Sequence, residues 1–433
     1  MSTDSAAAGW QPTPALVRAA LGSATAAALA VALGRPDLLV LAAPLLLATV
    51  AAARRRPRAV PGLRSRVVHA SVREGEGTAV RLDLDRAGDV DLLVVAVRQR
   101  GLVALRPPAG VVGAAGRGET LRVDVPLAPL RWGRRFLGDG LAAATSPWAG
   151  YRWGPVEVAA QPVTVLPLPG RFDAAAAAPH PLGLVGGNPA RRTGDGTEFA
   201  GIRPFRPGDR LRRLHWRTTL RTGALQVTTT HSEEDTSVLL IVDAVADLGT
   251  SGGVRGAASS LDVAVRAAGA VGEHYLHRGE RVGLRVLGSH RHSSLPVRPG
   301  RAHLRRLLDS LALMAPGTER DVDPARLQFG LTEGTVAVLF SPLLTSGTVA
   351  AAVALRRRGV SVVVVDSVPD DLDLGSSGPR RATAWRIRAL ERDAVSRAVQ
   401  AAGIPVVRWR GPGTLDEVLR RLARQPAATR GHR

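Results

Sequence analysis

SVLLIVDA, Ser237 to Ala244, is an unbroken apolar run that closes on an acid. Continuous apolarity, as opposed to alternation, marks a strand covered on both faces, as in a parallel sheet with helices above and below. The residues downstream fit. SLDVAVRAAGAVGEHYLHRG (Ser260 to Gly279) is helical material and RVGLRVLG (Arg281 to Gly288) a second strand. RAHLRRLLDSLALM (Arg301 to Met314) then places Leu304, Leu307, Leu308, Leu311 and Met314 on one face at a 3.6-residue period. Strand VAVLF (Val336 to Phe340), helix LTSGTVAAAVALRRRG (Leu344 to Gly359) and strand VSVVVVD (Val360 to Asp366) continue the alternation. A helix from Ala382 to Ala402 stopped by Gly403, strand IPVVRWR (Ile404 to Arg410) and a last helix from Thr414 complete it. Repeated β-α alternation predicts a doubly wound α/β domain over 236–425, with a disordered tail at 426–433.

Ligands of such sheets bind at the carboxyl ends of the strands. Polar residues fall there at Asp243 with Asp247, at Ser341, and at Asp366 with Ser367. Oxygen donors from separate loops could hold Mg²⁺. The loop DAVADLGTSGGVRG (Asp243 to Gly256) has neither the GxGxxG nor the Walker spacing, which argues against nucleotide binding.

Upstream, the pattern turns to short alternating or β-branched runs between Ser65 and Pro167: RVVHASV, TAVRLDLD, VDLLVVAVR, TLRVDVPL and PVTVLPL. Turn residues separate them at the spacing of an antiparallel sandwich, so 59–170 is expected to be an all-β, sandwich-like domain. The aromatics of RWGRRFLGDG (Arg131 to Gly140), with Trp148, Tyr151 and Trp153, are expected to cover a sheet edge. Ala174 to Ala178, flanked by prolines, opens a linker, and 171–235 is read as linker plus an Arg-rich segment.

Further upstream still lie two apolar segments, Ala15 to Leu33 and Leu38 to Ala53, joined by Gly34 to Asp37. At ~1.5 Å per residue the second reaches roughly 24 Å, against a hydrocarbon core of about 30 Å, and flanking arginines can snorkel across the difference. A transmembrane hairpin over 1–58 is predicted, with both ends on one side. Arg54, Arg55, Arg56 and Arg58 place that side in the cytoplasm by the positive-inside rule. The protein is thus expected to cross the plasma (inner) membrane twice, with both termini cytoplasmic. A cleaved signal peptide is the competing reading, but Asp4 precedes Arg18 and a second apolar run follows. Buried helices of a soluble core are the other alternative.

The chain has 433 residues, enough for two or three domains, and a formal net charge of +21 from 58 basic residues, all Arg, against 37 acids. Codon bias together with attraction to an anionic membrane explains that charge, and a polyanion partner is the alternative. With no cysteine, disulfide frameworks, thiolate metal sites and Cys nucleophiles are excluded.

The densest charge lies in GIRPFRPGDRLRRLHWRTTLRTG, Gly201 to Gly223. Pro207 fixes φ, Gly208 permits a turn, and Asp209 can cap a short helix DRLRRL. Trp216 is expected to anchor that turn in a core. Arg203, Arg212 and Arg221 present planar forks suited to carboxylates, with Glu198, Asp209, Glu233 and Glu234 as internal partners. The segment therefore reads either as an Arg–carboxylate network or as a docking surface for an acidic protein. His215 has no nearby nucleophile, which argues against catalysis. Arg203, Arg212 and Arg217 could meet phosphates, but aromatic platforms for bases are few.

Gly196-Thr197-Glu198-Phe199, Ile202-Arg203-Pro204-Phe205, Pro207-Gly208-Asp209, Arg212, Leu214-His215-Trp216 with Arg217, and Arg221 closely resemble the signature of the bacterial domain-of-unknown-function family 58. Two positions depart from it: His215 replaces Asp and Leu220 replaces Ala. The resemblance implies two membrane helices, a β-rich region and a von Willebrand factor A-like α/β domain. It also implies a working relationship with MoxR-type AAA+ ATPases. A working metal site in such a domain shows D-x-S-x-S; here Asp243-Ala244-Val245-Ala246-Asp247 lacks both serines, leaving Asp243 and Asp247 as a degenerate candidate. The expected protein is a non-enzymatic membrane-anchored adaptor with no cofactor beyond possible Mg²⁺. An electrostatic nucleic-acid binder and a metal-dependent adhesion domain are the alternatives.

Overall fold

The computed structural model describes residues 9–116, 118–168, 193–206, 209, 211–231, 237–288, 294–317, 335–373, 379–411, 413, 414 and 416. The chain divides into two units, Met1–Pro167 with Gly252–Gly256, and Leu168–Ser251 with Ala257–Arg433.

In the first unit a short strand β1 (Trp10–Pro12) leads into α1 (Pro14–Ala32). Thr13 sets the start of that helix, its hydroxyl accepting the Leu16 N–H at 3.2 Å. Helix α2 (Asp37–Arg54) returns after a tight connection, with Pro44 inside it. These helices are ~28 and ~27 Å long, close to the thickness of a hydrocarbon core. Both are long and apolar enough to cross a membrane, and few of their side chains are buried. The seam between them is built of small residues, with Gly22 against Leu45.

Twelve strands including β1 build the rest of this unit. They are β2 (Gly62–Val67), β3 (Ser71–Arg73), β4 (Thr78–Asp85), β5 (Leu92–Val97), β6 (Val103–Leu105), β7 (Val111–Ala115), β8 (Thr120–Pro129), β9 (Gly133–Leu137), β10 (Gly140–Thr145), β11 (Tyr151–Val158) and β12 (Gln161–Leu166). They form sheets of order β1-β11-β10-β5-β7, β2-β4-β8-β6 and β3-β12-β9, antiparallel except for β3 with β12. Strand β4 buries every second residue, Thr78, Val80, Leu82 and Leu84, and its inward face joins Leu93, Val95, Val125, Ala142 and Val165 in one core. Trp153 lies in that core and Trp132 is also buried, so these two do not serve as edge covers; Trp148 is exposed. An indole carries enough apolar area to be worth most in the interior, and the alternation of β11 points Trp153 inward.

In the second unit β13 (Thr193–Pro204) and β14 (Gln226–His231) form an antiparallel ribbon, with α3 (Trp216–Thr222) between them. Part of the segment expected to be linker is therefore ordered. The sheet follows: β15 (Ser237–Asp243), α4 (Ser260–His277), β16 (Arg281–Leu287), β17 (Leu295–Arg298), α5 (Arg301–Ala312), β18 (Thr335–Ser341), α6 (Ser346–Arg357), β19 (Ser361–Asp366), α7 (Pro379–Ala401) and β20 (Val406–Arg408). Its order is β17-β16-β15-β18-β19-β20, all parallel except the edge strand β17.

Strand β15 is buried at every position because both its faces are covered. Leu239 and Ile241 pack with Ala352 and Leu355 of α6 and Val399 of α7. On the other face, Leu240 and Leu307 close on Gly272 of α4. Leu307, Leu308, Leu311 and Met314 are buried as the 3.6-residue period requires. A capping box between Ser259 and Asp262 starts α4, and Gly403 at φ +78° follows the end of α7. The antiparallel β17 is an addition that the β-α alternation did not announce. The poly-Ala stretch, the body of the last helix and the 426–433 tail lie outside the described residues.

Candidate functional site

At the carboxyl edge of the second unit's sheet, Asp243 is buried and both its carboxyl oxygens are hydrogen-bonded. Oδ2 accepts the hydroxyls of Ser341 at 2.7 Å and Thr348 at 3.0 Å, and Oδ1 accepts the Val245 N–H at 3.1 Å. Burial raises the Asp243 pKa against the lowering effect of those bonds. Asp247 does not converge on it: its Oδ1 accepts the Leu261 N–H at 3.0 Å, in the first turn of α4. Among the described residues no three His, Asp or Glu side chains come together as metal ligands. With both Asp243 oxygens engaged by protein donors and Asp247 turned to a helix, this donor set does not fit Mg²⁺. What it does is tie β15, β18 and α6 together.

Asp366 is likewise engaged, while the Ser367 hydroxyl is buried without a hydrogen-bond partner among the described residues. Asp366 Oδ1 accepts the Val368 N–H, and Oδ2 meets Arg392 Nη1 of α7 at 2.8 Å, both side chains only 7% exposed. Arg408 Nε lies 3.7 Å away. Sequence reading missed Arg392, because nothing local marks one Arg among many as buried.

In the Arg-rich segment, Arg203 leaves the end of β13 and takes Asp209 in a two-point grip, Nη1 to Oδ2 and Nη2 to Oδ1, each 2.7 Å. The Arg206 N–H adds a third bond to Oδ2 at 2.8 Å. Those bonds hold the Asp209 carboxyl down to about 2, Arg203 contributing most. Asp209 therefore closes a loop back on Arg203 and Arg206 and caps no α-helix; only a single 3-10 turn, Leu211–Arg213, follows it. Pro207 and Gly208 lie outside the described residues, as do Glu233 and Glu234. Glu198 and Phe199 are described as β13 backbone alone, Phe199 opposite Thr230.

The α-helix comes later, and His215 starts it: its Nδ1 accepts the Thr218 N–H at 3.3 Å while its own N–H donates to Gln226 O at 2.8 Å. The signature's Asp at this position is the side chain most suited to an N-cap, so the departure keeps the job with a different acceptor. That was the signal available in the sequence. Gly223 at φ +67° ends the helix, a conformation only glycine adopts without cost.

Helix α3 buries none of its residues. Trp216 is 61% and Leu220 82% exposed, with Leu211 also exposed just before it. The expectation that Trp216 anchors a core is thus corrected: the helix is too short and too cationic to bury a face, and the indole stays in solvent. Arg212, Arg217 and Arg221 are exposed beside it. Arg203 and Asp209 are the members of the expected network that the described residues bring together; the side chains of Glu198, Glu233 and Glu234, the other acids named for it, lie outside them.

Residues 201–398 match the model of the family described as "Protein of unknown function DUF58", the family that the signature residues resemble. An uncharacterized protein of Mycobacterium bovis is 29% identical over 175 residues, 40% of this chain and 48% of that protein. An uncharacterized protein of Mycobacterium tuberculosis matches with the same figures. The chain spans about half the length of the curated relatives it matches.

Proposed function

With that family match as the premise, we propose that the chain is a membrane-anchored adaptor without catalysis of its own, presenting a von Willebrand factor A-like α/β unit and the Arg-rich segment to a protein partner. The observation that carries this is the outer surface of α3, where Trp216 and Leu220 stand exposed among Arg212, Arg217 and Arg221. Trp and Arg are the residues that most often dominate binding energy at interfaces, and guanidinium forks favour carboxylates. The partner surface is acidic; a MoxR-type AAA+ ATPase is the proposed identity, on the strength of the family resemblance. The strand order with its antiparallel edge β17 supports the von Willebrand factor A-like reading of the fold. The two long apolar helices support a membrane hairpin, and Arg54, Arg55, Arg56 and Arg58 favour the cytoplasm as the side bearing both its ends.

Affinity purification from detergent-solubilised membranes tests the reading. The native chain is expected to retain an AAA+ ATPase, and Trp216→Ala to weaken retention by about tenfold or more. Arg212→Ala, Arg217→Ala and Arg221→Ala combined are expected to abolish it. Failure to recover an ATPase under crosslinking, or steeply salt-dependent binding to nucleic acid in its place, would overturn the proposal.

A further inference from the structure

The geometry points to a lipid-binding turn: Pro147–Ala149, with Trp148 at its tip, is an interfacial anchor that seats the β-sheet unit on the headgroup layer of an anionic bilayer. The inference rests on the membrane reading above but concerns a surface that the reading does not require. No free linker separates the hairpin from the sheets. Strand β1 pairs with β11, Trp10 opposite Trp153 and Pro12 opposite Tyr151. The very next residue, Thr13, caps α1 and also holds the turn: its N–H donates to Gly150 O at 2.9 Å and its hydroxyl to Ala149 O at 2.7 Å.

On the return path the last turn of α2 lies against the same place. A Cβ added to Gly150 would come within 2.7 Å of the Ala52 Cβ. Beyond α2, Ala59 O accepts the Trp10 indole N–H at 2.8 Å and Asp89 accepts the Arg58 N–H at 3.0 Å. The turn is therefore level with the end of the apolar helices, beside the exposed Arg54, Arg55 and Arg56. Where those helices leave the hydrocarbon, the turn meets phosphates.

The backbone supplies a separate argument. Trp148 at φ +63° and Ala149 at φ +51° are consecutive left-handed residues, and neither is glycine. Ser146 over-determines them, accepting the Ala149 N–H at 2.9 Å, donating to Tyr151 O at 2.9 Å and taking the Tyr151 N–H on its hydroxyl at 3.0 Å. Strain held this firmly is characteristic of functional positions. Its product is an indole left 70% exposed, whereas Trp132 and Trp153 are buried. Trp is the side chain that concentrates at bilayer interfaces, and clustered Arg beside it matches anionic headgroups.

Because the chain lacks cysteine, single substitutions carry a dye cleanly. Ala149→Cys, which keeps the Trp148 indole, Gln99→Cys and Leu47→Cys would each be labelled with an environment-sensitive fluorophore and reconstituted in phosphatidylglycerol-containing vesicles with lipid-borne quenchers. Gln99 follows the opposite end of β5, whose Leu92 pairs with Thr145 at the turn end. The Leu47 label is expected to be quenched by deep quenchers, and the Ala149 label by headgroup-level quenchers at least about twofold more than the Gln99 label. Trp148→Gly, which suits the left-handed backbone, is expected to fold as the native chain does while releasing the sheets from the surface, read as loss of quenching at an Ala149→Cys label. Deep quenching at Leu47 with equal quenching at Ala149 and Gln99 would overturn the anchor alone. No quenching at Leu47 would overturn the membrane reading and the anchor with it.

Discussion

Asp209 accepts two hydrogen bonds of 2.7 Å from the Arg203 guanidinium and a third, at 2.8 Å, from the Arg206 N–H. One carboxylate thereby fixes the end of β13 to the loop that leads to α3, so the exposed helix is presented from a held base.

The pair makes that base sensitive to acid. Its carboxyl is held down to about 2, so the stabilisation is complete above the ordinary carboxylate range and is lost as pH falls through that range towards 2. The Arg206 amide should lose protection, measured against its intrinsic exchange rate at each pH, over that window in the native chain. In Asp209→Asn the protection should be low at every pH, and Arg203→Lys, which cannot reproduce the two-point grip, should fall between.

His215 is expected to act as an N-cap. His215→Ala should cost α3 about 1 kcal/mol of local stability, whereas His215→Asp should keep or improve it. Exchange protection of the Thr218 and Thr219 amides reports the difference.

The buried hub at Asp243 carries the opposite pH sign. Burial raises its pKa, so the folded chain binds that proton more readily than the unfolded one, and this group's contribution falls as pH rises from the ordinary carboxylate range through the raised value. Asp243→Asn should remove that slope from a plot of melting temperature against pH. Asp243→Ala, which strands the Ser341 and Thr348 hydroxyls and the Val245 N–H, should cost about 3 kcal/mol or more.

Arg392 and Asp366 form a buried pair at 2.8 Å, with Arg408 Nε a distant third party at 3.7 Å. Arg392→Met should destabilise by about 3 kcal/mol because it leaves a buried carboxylate poorly compensated. Adding Asp366→Leu should recover most of the loss, and a double-mutant cycle by denaturant unfolding measures the coupling.

The sheet of the second unit was legible because strands such as β15 and β19 are apolar at every position, and Leu307, Leu308 and Leu311 keep a helical period. Strand β13 was not: TGDGTEFAGIRP has neither alternation nor a β-branched run, and only its pairing with β14 makes it a strand. The site was half legible. Arg203 and Asp209 met as the residue types suggested, but Trp216 was assigned to a core because Trp usually earns most by burial, and its neighbours on α3 give it nothing to pack against. Asp243 and Asp247 looked paired by spacing; their bonds to α6 and α4 depend on folds of the chain that spacing does not encode.

The account stands most directly on which side of the membrane α3 lies. A chain with Leu220→Cys, 82% exposed in the native helix, should stay unlabelled by a membrane-impermeant maleimide in intact cells, sediment with the membranes, and label fully once the cells are opened. Labelling in unbroken cells, or recovery of the chain in the soluble fraction without detergent, would contradict it.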